Sequence, residues 1–450
     1  MKLRFVIVLA LLGLIAVAGG FFLYPRLEGD PPTLNISPTP EIVGKEASFT
    51  LLCEDRVAGL REIRAELIQE GGTFTLLAET YPSGTHRVQK TLEVNPRSLG
   101  LQEGEVLLRV EARDRSWRRG GNPKMLEARF TIDTRPPSVG VLSRFHYINQ
   151  GGAGLVVYRA SEKLARSGVK VGELWFPGFP VDDRGYVSFF AVPYDASPQT
   201  PIGLVAEDKA GNRSHTSFQY RIKPRKFRSD AIRVSGGFLR RVMPYFMERD
   251  PGLKGNPLEV FLRVNRELRK ANEQKISELS RDTVPKIMWS GPFLRMDNAK
   301  PMARFADHRV YFNEGREIDR QVHLGEDLAS LAMSVVKAAN GGRVVFAGEL
   351  GIYGNTVMVD HGCGLVSMYS HLSRMDLAPG QEVQKGQPLG LTGATGLAGG
   401  DHLHFSILVS GVYVNPVEWW DPHWVKDNVE DKLGLLETGQ KSDSAAPVSQ

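Results

Sequence analysis

Three hydrophobic patterns divide the 450-residue chain. From Phe5 to Tyr24 the residues are apolar and uncharged over roughly 20 positions, about one bilayer span. Further on, short runs alternate apolar and polar residues at period two, as in Thr216–Ile222. Turn signals such as Asp208-Lys209-Ala210-Gly211-Asn212 lead into them, so half-buried β-strands are expected. Gly237 to Glu248 and Pro257 to Leu279 have helical spacing. Leu258, Phe261, Leu262, Val264 and Leu268 mark an apolar face among many Arg, Lys and Glu, and Asn256-Pro257 reads as a helix start. Beyond Asp427 the tail turns polar and is expected to be disordered.

The first pattern carries an orientation. Lys2 and Arg4 precede the apolar run, which places the short N-terminal end in the cytoplasm and the remainder outside it. Ala16-Val17-Ala18 offers a signal-peptide cleavage site, but Gly19 to Tyr24 prolong the apolar run past it, so an uncleaved anchor is favoured. The expectation is a single-pass membrane protein with its body exported.

The second pattern repeats. Asp30-Pro31-Pro32-Thr33-Leu34 and Arg135-Pro136-Pro137-Ser138-Val139 each read as a stiff entry into a strand. Val110-Glu111-Ala112-Arg113-Asp114 and Val205-Ala206-Glu207-Asp208 echo each other near the two ends. Such punctuation resembles that of immunoglobulin-like domains, which implies spacing or binding of glycan or envelope proteins rather than catalysis.

Composition narrows the classes. A net charge of +5 is modest, and no basic cluster interleaved with aromatics argues for nucleic acid. Cys53 and Cys363 lie far apart, which excludes a disulfide scaffold and a cysteine zinc site; both are expected as free thiols.

The chemistry concentrates near the C-terminal end. In Asp401-His402-Leu403-His404-Phe405 the two imidazoles are two residues apart on a strand and share a face. Upstream, His323-Leu324-Gly325-Glu326-Asp327 supplies an imidazole and a carboxylate, and Tyr369-Ser370-His371-Leu372 a further imidazole. Catalytic zinc takes three nitrogen or oxygen ligands and keeps a fourth position for water. His323, Asp327 and one of the later pair supply that set, leaving two histidines for proton transfer and oxyanion stabilisation.

The stretch from about Trp289 to Trp424 resembles the lysostaphin-type (LytM-like) zinc metallopeptidases, which hydrolyse peptide bonds of bacterial peptidoglycan. The match runs in order through His323-x-x-x-Asp327, Val335 to Val344, Gly354-Asn355-Thr356-Val357 and Asp360-His361-Gly362. It continues through Tyr369-Ser370-His371-Leu372, Gly380 to Gln387, Gly390 to Gly396 and the His402/His404 pair. The resemblance implies one zinc ion per chain held by His323, Asp327 and His404, with His371 and His402 as the non-ligand active-site histidines. The sequence does not divide the roles of these two, the lean being His402 nearer the water and His371 nearer the oxyanion. With the N-terminal anchor, the resemblance implies a single-pass protein of a bacterial inner membrane facing the periplasm or cell-wall space.

Other groups have plainer readings. Glu326 and Glu349 are expected as surface carboxylates, His361 in a turn or supporting role, and His308 and His423 at the surface. His86, His146 and His215 lack companion ligands.

The expected fold is multidomain and mainly β. An anchor occupies 1–28, immunoglobulin-like sandwiches 29–134 and 135–224, a helical linker 225–285, the peptidase domain 286–425 and a disordered tail 426–450. The linker is expected to pack on a neighbouring domain, the sharper hypothesis being that it covers the active-site groove. The expected activity is a zinc-dependent endopeptidase of peptidoglycan. The alternative is a non-catalytic protein of the same fold that binds peptidoglycan and activates a partner amidase.

Overall fold

The computed structural model describes residues 2–443. The apolar run forms one helix, Lys2–Leu27, of which Phe5–Leu27 is long and apolar enough to cross a membrane. Most of the remaining elements are strands.

The chain divides into two compact units. The first comprises Met1–Pro136 with Glu207–Asn212. Its globular part has a three-stranded and a five-stranded sheet around one core. The strand Gly104–Asp114 shows why: Val106, Leu108, Val110 and Ala112 point inward at period two and are fully buried, while the intervening residues stay partly exposed. Cys53 is a buried free thiol on the strand Ala47–Glu54.

The second unit comprises Pro137–Ala206 and Arg213–Gln450. It opens with two four-stranded sheets and a two-stranded parallel pair, cored by Leu155, Val157, Phe176 and Phe189. Helices follow. Ser235 caps Gly236–Arg249, its Oγ accepting the Phe238 amide at 3.2 Å. Asn256 and Glu259 form a reciprocal capping box on Pro257–Arg263. That helix passes through a π-turn, Val264–Leu268, into Arg269–Leu279.

The C-terminal part is built on an eight-stranded sheet. Its central strands are Glu326–Ala329, Leu403–Val409, Leu365–Leu372 and Asn355–Asp360, in that spatial order, paired antiparallel. Leu403–Val409 and Leu365–Leu372 are buried along their whole length, so their polar residues Ser367, Ser370, His371, His404 and Ser406 are buried together with the apolar ones. A separate hairpin, His308–Asn313 with Arg316–Val322, pairs in parallel with Ser229–Arg233.

The tail departs from expectation. Residues 426–443 are helical rather than disordered. Val425, Val429 and Leu436 form an apolar stripe at helical spacing, each nearly fully buried. Lys432 is buried with them and its Nζ donates to the Leu155 carbonyl at 3.3 Å. The polar composition concealed this stripe. Residues 444–450, also assigned to the tail, lie outside the described residues.

Candidate metal centre

Strand register assembles the site. Asp327 lies directly opposite His404 on the neighbouring strand, and Ser370 lies opposite His404 on its other side, so His371 follows at the strand end. His323 sits just beyond the hairpin strand Arg316–Val322, with its amide bonded to the Asp307 carbonyl at 3.0 Å. Together, His323, Asp327, His371, His402 and His404 line one cavity of about 300 Å³.

Three donor atoms converge there. Asp327 Oδ1 lies 2.9 Å from His323 Nε2 and 2.9 Å from His404 Nδ1, and those nitrogens are 3.0 Å apart. The outer ring nitrogens fix the tautomers. His323 Nδ1 lies 3.0 Å from the Arg304 carbonyl, which only accepts, so that nitrogen carries the proton. Ser406 Oγ gives its own proton to the Leu324 carbonyl at 2.7 Å, so His404 Nε2, 3.0 Å away, must donate to it. Burial pushes the His404 pKa down to about 4, so this ring is neutral at pH 7.

With His323 Nδ1–H and His404 Nε2–H turned outward, His323 Nε2, Asp327 Oδ1 and His404 Nδ1 all turn inward and meet at one point. A proton on His323 would satisfy one contact; a metal ion satisfies all three. His323, Asp327 and His404 therefore fit a metal centre by their donor chemistry, and each is buried. Gly325 belongs to the same construction. A Cβ there would stand 2.7 Å from His404 Nε2 and 2.6 Å from Ser406 Oγ, so only glycine leaves room for the ring.

The other two histidines face the same cavity. His371 Nδ1 donates to the Thr395 carbonyl at 2.8 Å and His402 Nδ1 to the Gly400 carbonyl at 2.9 Å. Each ring thus keeps Nε2 for the cavity. Burial, then His402 and His404, hold the His371 pKa well below its ordinary value. Burial opposes charge on His402 as well, but Asp327, 3.6 Å from Nε2, more than offsets it and raises the pKa. His371 also adopts a left-handed backbone, φ 63°, a strained conformation of the kind that clusters at functional sites.

Glu326 corrects its expectation. It is 3% exposed, with Oε1 accepting the Phe305 amide at 3.0 Å, and burial raises its pKa to about 7. Strand alternation sends it to the face opposite Asp327, away from the cavity. Glu349 is exposed and paired with Arg249 and Tyr245. His361 is fully buried between the Gly341 carbonyl at 2.6 Å and Ser367 Oγ at 2.7 Å.

Residues 321–416 match the model of Peptidase family M23. This segment is an M23 peptidase domain. The chain is 39% identical over 97 residues to the DD-carboxypeptidase/endopeptidase Mpg of Neisseria meningitidis, covering 22% of each chain. It is 36% identical over 96 residues to the peptidoglycan DD-endopeptidase ShyA of Vibrio cholerae, covering 21% of this chain and 22% of that one. It is also 40% identical over 84 residues to the murein hydrolase activator EnvC of Escherichia coli, covering 19% and 20%. The match spans about a fifth of the length of these relatives.

The cavity is wider than the M23 domain. Ile232, Arg233, Val234, Phe238, Phe261 and Arg269 line it from the segment between the β-sheets and the domain. Arg241 Nη2 also donates to the Gly399 carbonyl at 2.8 Å, just before His402. Arg309 was not read from sequence; its Nη2 holds Asp327 Oδ2 at 2.7 Å. The Glu314-Gly315 turn folds the hairpin so that Arg309 faces Gln321, two residues before His323. That turn was the available signal.

Proposed function

We propose that the chain is a zinc-dependent endopeptidase that hydrolyses stem or cross-link peptides of peptidoglycan, anchored in a bacterial inner membrane by Lys2–Leu27 with the M23 domain in the periplasm or cell-wall space. The observation that carries this reading is the convergence of His323 Nε2, Asp327 Oδ1 and His404 Nδ1, with two further Nε2 atoms facing the same cavity.

Bound at these residues, zinc would polarise the scissile carbonyl and acidify a water toward a pKa of about 7. The chain's own groups complete the chemistry. His371 and His402 each hold Nδ1–H on a backbone carbonyl, which leaves Nε2 to accept a proton from water or, once protonated, to give one to the leaving amine. Arg309 keeps Asp327 Oδ2 occupied, so that Oδ1 alone faces the cluster. The phenyl rings of Phe238 and Phe261 line the same cavity and exclude water from part of it.

The second reading, a non-catalytic protein that activates a partner amidase, draws on the likeness to EnvC. The complete set of five converging side chains favours hydrolysis. Zinc content and release of fragments from peptidoglycan sacculi by the detergent-solubilised full chain test the choice; a zinc-loaded protein that leaves sacculi intact supports the activator.

A further inference from the structure

The charges lining the metal cavity are unbalanced. Among the described lining residues there are three guanidinium groups, Arg233, Arg269 and Arg309, and one carboxylate, Asp327. Arg309 is committed to Asp327 Oδ2. Arg269 is tied within its own helical segment, Nη2 to Asn265 Oδ1 at 2.7 Å, and faces the charge of Glu273. Arg233 differs. It ends the strand Ser229–Arg233, is exposed, and has no ion pair or hydrogen bond to its side chain among the described residues. A divalent ion in the cluster adds to this positive surplus. An uncharged peptide gains little from such a cavity, whereas an anionic one is drawn in.

We propose that Arg233 binds a free α-carboxylate on the residue that follows the scissile bond. The inference rests on the peptidoglycan reading and narrows it. The bond cut is one whose leaving amine belongs to an amino acid with its own free carboxylate, and not an internal bond such as one within a glycine bridge. That carboxylate has two sources, the C-terminal residue of an uncross-linked stem and the branching residue of a cross-link. The planar guanidinium fork suits it, since two parallel N–H bonds fix a carboxylate in one orientation. The strand backbone, paired with His308–Asn313, gives the fork a firm base. The segment before the M23 domain thus supplies specificity to the site it borders.

The test is binding rather than turnover. Zinc-loaded full-length His371→Ala protein in detergent is titrated calorimetrically with acetyl-D-Ala-D-Ala and with its C-terminal carboxamide. A second pair is a cross-linked muropeptide dimer with the branching carboxylate free or amidated. The free acid is expected to bind at least about tenfold tighter in one pair or both, the scale of a charge-assisted hydrogen bond. Whichever pair shows the preference names the source. Adding Arg233→Ala should erase the preference, and Arg233→Lys should keep part of it; Arg233 is exposed, so neither change disturbs a core. Equal binding of acid and amide in both pairs, or a preference that survives Arg233→Ala, overturns the proposal. Carboxylate preference without turnover in the wild type would refute the hydrolase reading and the assignment of the bond cut, and leave only carboxylate binding by Arg233 standing. Hydrolysis without the preference would refute this inference and leave the hydrolase reading standing.

Discussion

Ser406→Ala should weaken metal binding without touching a proposed ligand. The Ser406 hydroxyl is fully buried and does two things: it donates to the Leu324 carbonyl at 2.7 Å and accepts from His404 Nε2 at 3.0 Å. Without it, the Nε2–H of His404 loses its acceptor. The ring is then free to carry its proton on Nδ1, which puts an N–H where a lone pair is needed. A buried donor left unsatisfied costs about 1–3 kcal/mol. At about 1.4 kcal/mol per tenfold, that is about 5- to 140-fold in zinc affinity, which brackets the roughly 10- to 100-fold typical of changes in groups that orient a ligand histidine. The zinc Kd of the full chain, measured by competition with a chromophoric chelator, reads this directly. Circular dichroism confirms that the fold is retained, and Ser406→Thr should preserve most of the affinity. A Kd within about twofold of wild type for Ser406→Ala would refute the tautomer argument.

Gly325→Ala should also depress zinc affinity, because its Cβ would press on the His404 ring; unchanged zinc content after dialysis would contradict that contact. Glu326 has a folded pKa of about 7, above its ordinary value of 4.5, so the stability it contributes is present below about pH 4.5 and lost as pH rises toward 7. In metal-free protein, Glu326→Gln should therefore match wild type at pH 4 and exceed it at pH 8, by up to about 3 kcal/mol in chemical denaturation. Burial lowers the pKa of Lys432 from 10.5 to about 8, so stability is lost as pH falls from 10.5 through 8. Lys432→Met should raise the thermal midpoint at pH 7 and lose that advantage above pH 10.5; a variant no more stable at pH 7 would show that the Leu155 carbonyl already compensates the charge.

The site was legible in sequence because its chemistry is carried by residue identity at fixed spacing. Two histidines separated by one residue share a strand face, and an Asp four residues after a His brings a carboxylate back to the same end. The apolar N-terminal run and the mainly β character were readable for a similar reason, since both rest on local periodicity. What escaped depended on partners distant in sequence. Glu326 looks like any surface glutamate until strand pairing with Phe405 turns it inward. Val425, Val429 and Leu436 are too sparse to signal a helix without the surface they cover. Arg309 enters the site only because a hairpin turn six residues downstream aligns it with the approach to His323.

Mass analysis of peptidoglycan fragments tests the central claim most directly. Sacculi are incubated with the zinc-loaded full chain, with the chelated chain and with zinc-treated His404→Ala protein. The account predicts released muropeptides from the first alone, each bearing the new termini of one hydrolysed peptide bond. Intact sacculi with zinc-loaded wild type, or equal release by His404→Ala, would contradict it.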